Sequence, residues 1–346
     1  QQALYLNTTA NDNSAFGTFA LGNNTTGTYN TGIGCSALYA NTTGDKNTAL
    51  GWHALDANTT GEKNTAFGYN ALTDITTAVR NTAVGSGALA NSTGNDNTAV
   101  GSNCADAVTT GTNNTAVGSY ALTTATTGSH NTAIGFDSLK NTTTGSYNTA
   151  VGRNSLLAHT TSNSNTAIGY GALAANTTGA ENTAVGGGAL TSNTTASNNT
   201  AVGTNALLSN TTGTNNTAVG HDSLEQNTGG NNSGLGFEAL KGNTTGGDNT
   251  SIGAHSLSTN TTGDYNTALG QAALNANTTG DGNTALGQGA MRDNTTASYN
   301  TAVGKDTLAN VTTGEKNVAV GKDALSAVTT NDGNIAIGYR AGDSTP

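Results

Sequence analysis

The side chains that could do chemistry in this chain include five histidines and two cysteines. A catalytic or metal site needs different groups of this kind to converge on one point. The sequence instead distributes them along a repeat of about 17 residues, with the histidines at four different repeat positions. No Ser-His-Asp arrangement, metal-ligand spacing or phosphate-binding loop recurs. We therefore expect no enzyme activity, no catalytic residue, no cofactor and no metal site.

Aromatic side chains are the second group with a chemical use. Their flat apolar faces bind carbohydrate or another surface when they are exposed. Packing within the turns is the alternative, and the sequence leaves both open. The candidate surface-binding aromatics share the sixth repeat position: Trp52, Tyr69, Phe136, Tyr170 and Phe237.

Composition and charge narrow the list of partners. The net charge is -10, and no stripe of basic residues is present. Nucleic acids and anionic membrane surfaces are therefore unsuitable partners. No apolar run approaches the roughly 18 residues that span a bilayer, so we expect no membrane insertion.

The secondary structure that positions these residues is predicted from a repeat with the consensus N-T-A-V-G-x-x-A-L-x-x-N-T-T-G-x-x. We number the positions of the repeat from its first asparagine. That position recurs from Asn13 to Asn334 every 17 residues, except in two 16-residue repeats that begin at Asn81 and Asn216. We interpret residues 1–346 as one continuous domain, with incomplete coils at 1–12 and 334–346.

Position 5 is always Gly and position 15 usually is, which excludes a helix. The segments T-A-V and A-L-x have the length and composition of strands. Two strands and two turns per repeat predict an all-β fold, a parallel β-solenoid (β-roll) of about twenty 17-residue coils.

The pattern of side-chain sizes allows two assignments of the coil interior. Position 10 admits Asp56, Lys140 and Glu225, so it faces water, and alternation then turns positions 9, 4 and 2 inward. Small residues at positions 3 and 8 would face outward, against another chain. The alternative places the small residues inside a thin coil and the large ones at an interface between chains. The candidate lateral face of the first assignment consists of Ala49, Ala116, Ala184 and Ala268.

The asparagines at positions 1 and 12 are expected to stack into hydrogen-bonded ladders. The alternative is N-glycosylation, because Asn7, Asn24 and Asn41 begin N-x-T sequons. Ice binding is a third hypothesis for a threonine-rich solenoid. It needs outward T-x-T pairs, whereas the recurring threonines here are adjacent, at positions 13 and 14.

The motif N-T-A-V-G-x-x-A-L resembles the head repeats of trimeric autotransporter adhesins (the YadA-like β-roll), and the N-T-T-G spacing resembles solenoid segments of tail-fibre-like proteins. The resemblance covers residues 3 to 342. It implies a left-handed coil, an extracellular or cell-surface location, and attachment through fibres of three chains side by side.

The two ends of the chain suggest a further mode of assembly. Ala3 and Leu4 fit positions 8 and 9 of a coil that lacks its first strand, and the segment 334–338 supplies such a strand. We therefore expect end-to-end filaments. The alternative is that the sequence is a piece of a longer chain. The candidate assembly ends are Ala3, Leu4, Asn334, Ile335, Ala336, Ile337 and Gly338.

The predicted function is that of an extracellular structural protein, a β-solenoid rod that assembles end to end into a filament or adhesive surface appendage. The alternative is a trimeric adhesin or tail-fibre shaft that binds a cell-surface glycan. The expected partners are copies of the chain itself and host or environmental glycans.

Overall fold

A computed structural model describes residues 2–343, which form two compact units divided between Thr178 and Gly179. The residues described contain β-strands and turns and no helix. The predicted fold class, an all-β parallel β-solenoid, is confirmed. The interpretation of residues 1–346 as one continuous domain stays a prediction.

Every strand contains three residues and lies at positions 2 to 4 of its repeat, so the strands recur at the sequence period. The first unit contains β1 Ser14–Phe16, β2 Thr31–Ile33, β3 Thr48–Leu50, β4 Thr65–Phe67, β5 Thr82–Val84, β6 Thr98–Val100, β7 Thr115–Val117, β8 Thr132–Ile134, β9 Thr149–Val151 and β10 Thr166–Ile168. The second contains β11 Thr183–Val185, β12 Thr200–Val202, β13 Thr217–Val219, β14 Ser233–Leu235, β15 Thr250–Ile252, β16 Thr267–Leu269, β17 Thr284–Leu286, β18 Thr301–Val303, β19 Val318–Val320 and β20 Ile335–Ile337.

Within each unit, successive strands pair in parallel and in register. Thr48 of β3 lies opposite Thr65 of β4, and Leu50 lies opposite Phe67. Equivalent positions of neighbouring coils therefore stack in columns, about 4.8 Å apart. A side chain that faces outward in one coil consequently becomes part of a continuous surface.

The glycine at position 5 ends each strand. Gly118 has a φ of 130°, and a Cβ there would lie 2.6 Å from the carbonyl oxygen of Gly135 in the next coil. Only glycine accepts both the backbone conformation and this close approach. The chain therefore leaves the sheet at the same place in every coil.

The prediction of a second strand at A-L-x is wrong. Positions 6 to 11 form a run of turns in which positions 7 and 9 adopt the left-handed conformation, as His53 (φ 53°) and Leu55 (φ 53°) show. The turns still connect the coils, because the Leu55 amide donates to Ala71 O over 3.0 Å. The backbone groups are thus satisfied between coils without a second strand.

The asparagines form the predicted ladders. The Nδ2 of Asn41, at position 12, donates to Asn24 Oδ1 of the preceding coil over 2.8 Å and to Gly44 O of its own coil over 3.0 Å. The Nδ2 of Asn30, at position 1, donates to the same Gly44 carbonyl over 2.8 Å. Asn24, Asn30 and Asn41 are buried, so the sequon asparagines Asn24 and Asn41 lie inside the fold.

Candidate functional site

The interior of the coil corrects the first assignment of the lateral face. Ala49, Ala116, Ala184 and Ala268 are completely buried within the chain itself, so position 3 points inward. Positions 8 and 9 point inward with it, and Leu55 and Leu122 are fully buried. The alternative assignment, with small residues inside a thin coil, describes the structure.

The narrowness of the coil explains why position 3 must be small. A Cβ added at Gly32, where other coils have alanine, would already lie 3.1 Å from Ala37 O and 3.3 Å from Leu21 Cγ. The side chain at position 3 therefore meets positions 8 and 9 with no space left. Contacts within the chain therefore explain why the residues at position 3 are small, and no contact with a second chain is needed to explain it.

Positions 2 and 4 consequently form the outer surface of the sheet. The side chain at position 4 is large and apolar in all twenty strands, and every one of them is exposed or half-buried. Ile134 is 39% exposed and Leu50 45%, which is high for apolar residues in the middle of a sheet. We call this surface, positions 2 and 4 of all strands, the outer sheet face.

The outer sheet face is uncharged, and it combines an apolar row at position 4 with a row of mostly threonine at position 2. Position 2 is Thr or Ser in all strands but the last two, and neither position 2 nor position 4 is ever charged. Ten strands per unit, at about 4.8 Å per strand and ~3.3 Å per residue, give about 480 Å² of sheet in each unit. The largest apolar patch on a typical monomer is about 300–600 Å².

The candidate aromatics at position 6 are exposed, and four of the five contact a neighbouring ring or cation. Trp52 and Tyr69 stack with ring centroids 4.9 Å apart. Phe136 meets the guanidinium of Arg153 at 5.9 Å. Phe237 lies between His221 and His255, with centroids 5.7 and 5.2 Å away. Tyr170 is 64% exposed, with no ring partner among the described residues.

A network of charges surrounds Phe237. Lys241 Nζ lies 2.8 Å from Glu238 Oε1 and 3.1 Å from Asp222 Oδ2. The hydrogen bond from Lys241 lowers the pKa of Glu238, and the same contact raises the pKa of Lys241. His255 Nδ1 lies 3.0 Å from the other oxygen of Glu238. These groups satisfy one another on the surface of the second unit.

The candidate assembly ends are partly exposed. Ala3 is exposed and Leu4 is half-buried. At the other end, Ile335 and Ile337 are 75% and 73% exposed, whereas Ala336 is buried. Asn334 still continues the ladder, since its amide donates to Asn317 Oδ1 over 2.9 Å. Gly338 follows β20, with a φ of 126°.

Between residues 2 and 343, no three His, Cys, Asp or Glu side chains lie close enough together to hold a metal ion. The same residues include no helix with the length and hydropathy needed to cross a membrane.

The outer sheet face is the surface that the first of the two assignments from sequence placed inside the coil and the second placed outside. The signal was present in the side-chain sizes: position 4 varies from Val84 to Phe67, whereas position 3 never exceeds Ala or Ser. A tightly packed interior tolerates little variation in volume, and an outer surface tolerates more.

Comparison with models of known protein families and with curated proteins gives no match to this chain. The resemblance to YadA-like head repeats thus stays an expectation from the motif.

Proposed function

We propose that this protein is an extracellular structural protein that associates side by side with further copies of itself through the outer sheet face. The observation that carries the proposal is the column of exposed or half-buried large apolar residues at position 4 in each unit. The largest apolar patch on a protein surface is often a functional site. The extracellular location rests on the resemblance of the motif to adhesin and tail-fibre repeats.

A second copy of the chain is the occupant that fits this face best. Its side chains form ridges at the spacing of the coils, and only a surface with the same spacing interdigitates along its whole length. Each unit presents about 480 Å² of this face, more than half of the roughly 800 Å² per partner of a standard interface. No charge must be desolvated, because neither position 2 nor position 4 carries one.

Size variation at position 4 weighs against ice as the occupant. Phe16, Leu50 and Val84 project to different heights, which breaks the regular plane that an ice surface needs. The threonines at position 13 are also engaged, since Thr25 Oγ1 donates to Thr42 O over 3.0 Å.

Two further modes of assembly or binding are compatible with the side-by-side arrangement. A glycan-binding shaft is favoured by the exposed Trp52–Tyr69 pair. End-to-end filament formation remains a prediction from the sequence.

The test introduces two lysines on the outer sheet face and compares the oligomeric state of this variant with that of a variant that has two lysines on another surface. Val100 and Ile134 are 37% and 39% exposed on β6 and β8. We expect wild type to sediment as an oligomer and the Val100→Lys/Ile134→Lys variant as a monomer with an unchanged circular dichroism spectrum.

The matched control is Thr110→Lys/Thr144→Lys, which alters exposed position 14 in the same two coils. This control should remain oligomeric. A monomeric wild type, or a control that dissociates as fully as the test variant, would show that the outer sheet face is not the interface.

A further inference from the structure

An aromatic hollow lies at the surface of the first coils, apart from the outer sheet face. It has a volume of about 230 Å³, and its aromatic lining consists of Tyr5, Phe19 and Tyr39. These side chains are 70%, 40% and 38% exposed, and the Phe19 and Tyr39 rings meet edge to face with centroids 5.9 Å apart.

Gly22 creates this hollow. It occupies position 10, where the preceding coil has Tyr5 and the following coil has Tyr39. A Cβ at Gly22 would lie 3.1 Å from Tyr39 Cδ2, so the ring leans over the space that the missing side chain leaves. Position 10 does not require glycine, because other coils have Leu157 and Leu208 there. The glycine therefore makes room without being needed by the fold.

The rim of the hollow is polar and uncharged. Gln2 and Asn23 line it together with the aromatic residues and Leu6. Their side-chain amides have no hydrogen-bond partner within the described part of the chain. Amides beside aromatic faces suit a ligand that combines an apolar face with hydroxyl groups. A purely aromatic ligand would leave the amides unpaired, and an ionic ligand would find no opposite charge.

We propose that this hollow binds a single six-membered sugar ring. The apolar C–H face of the ring packs on Phe19 and Tyr39, and its hydroxyls meet the amides of Gln2 and Asn23. The volume lies below the roughly 300–1,000 Å³ of clefts that enclose larger ligands, which limits the occupant to about one ring. The site does not depend on side-by-side association, and it is separate from the Trp52–Tyr69 pair.

The experiment is saturation-transfer NMR on the full chain with methyl pyranosides of glucose, galactose, mannose and N-acetylglucosamine, and with indole as the non-sugar probe. We expect at least one pyranoside to bind, with the largest transfer to C–H protons on one face of its ring. Gly22→Leu, which introduces a side chain native to this position in other coils, should weaken binding about tenfold or more. Tyr39→Ala should do the same by removing a ring.

The controls separate this hollow from the other aromatic residues. Tyr120 matches Phe19 in repeat position, in its left-handed backbone (φ 58° against 57°) and in exposure. Phe19→Ala should weaken binding, whereas Tyr120→Ala should bind as wild type does. The proposal is wrong if no pyranoside binds, if indole alone binds, or if Gly22→Leu retains wild-type affinity while its circular dichroism is unchanged.

Discussion

His159 replaces the asparagine of position 12 in its coil and takes its place in the buried ladder. Its Nδ1 lies 3.0 Å from Thr142 Oγ1, and its Nε2 lies 2.9 Å from Ser162 Oγ. Burial lowers the pKa of the imidazole from 6.5 to about 4. Between these values the unfolded chain binds a proton that the folded chain does not, so stability falls as the pH drops from about 6.5 towards 4.

We expect His159→Asn to remove this acid sensitivity. In wild type, the His159 proton should cost roughly 2 to 3 kcal/mol of unfolding free energy between pH 7.5 and pH 4.5. Urea unfolding at both pH values measures the loss, and the difference between variant and wild type cancels the titration of carboxylates common to both. His130→Asn alters an exposed histidine and should leave the loss as large as in wild type. An equal loss in wild type and His159→Asn would contradict the assignment.

A substitution at Ala116 tests whether the side chain at position 3 lies inside the coil. Because its side chain is completely buried against its own chain, Ala116→Leu should destabilise a single chain by about 1–3 kcal/mol or more through overpacking. Val117→Leu is the matched control, since Val117 faces outward and other strands have leucine at this position. Thermal unfolding of both variants at low protein concentration measures the difference. Equal melting temperatures of the two variants would indicate that the side chain at position 3 faces outward.

At the scale of the coil, the repeat predicts the fold class and the asparagine ladders, but not which side of the strand is inside. Asn41 and Gly118 carry strong signals, because few residues can replace a buried ladder amide or a glycine at φ 130°. Leu55 gives a false signal for a strand. Its apolar side chain follows Ala54 as in a strand, but the backbone of Leu55 is left-handed. Alternation continued through that turn then places Val117 inside and Ala116 outside.

The asparagine ladder should be a large source of stability in each coil. Asn41→Ala removes the donor to Asn24 Oδ1 and to Gly44 O, and it removes the acceptor for Asn58 Nδ2. Gly44 O keeps the donor Asn30 Nδ2 and Asn58 Nδ2 keeps the acceptor Gly61 O, whereas Asn24 Oδ1 loses its donor. The loss of three hydrogen bonds and the unpaired buried oxygen should lower the free energy of unfolding by roughly 2–4 kcal/mol. Thr43→Ala, an exposed change in the same coil, should cost less than about 0.5 kcal/mol. Chemical denaturation of both variants measures the free energies of unfolding. If Asn41→Ala lowers this free energy as little as Thr43→Ala does, the ladder is not stabilising.

At the scale of the whole chain, charge and apolar surface are segregated. The chain has a net charge of -10, yet none of this charge lies at positions 2 and 4 of the strands. Ion pairs such as Lys241–Glu238 and Arg80–Asp96 form at the turns instead. Two copies that meet through the outer sheet face thus bring together apolar surface, while their net charges repel at longer range.

This segregation predicts how assembly responds to salt. Raising NaCl from about 0.02 M to about 0.5 M shortens the Debye length from roughly 20 Å to ~4 Å, which screens the repulsion between two acidic chains. The sedimentation coefficient at a fixed protein concentration should therefore stay constant or rise, and sodium sulfate should raise it further, because sulfate strengthens apolar burial. An interface built on the ion pairs at the turns responds in the opposite direction. Dissociation with increasing NaCl would indicate that the copies associate through the charged turns around Lys241 and not through the outer sheet face.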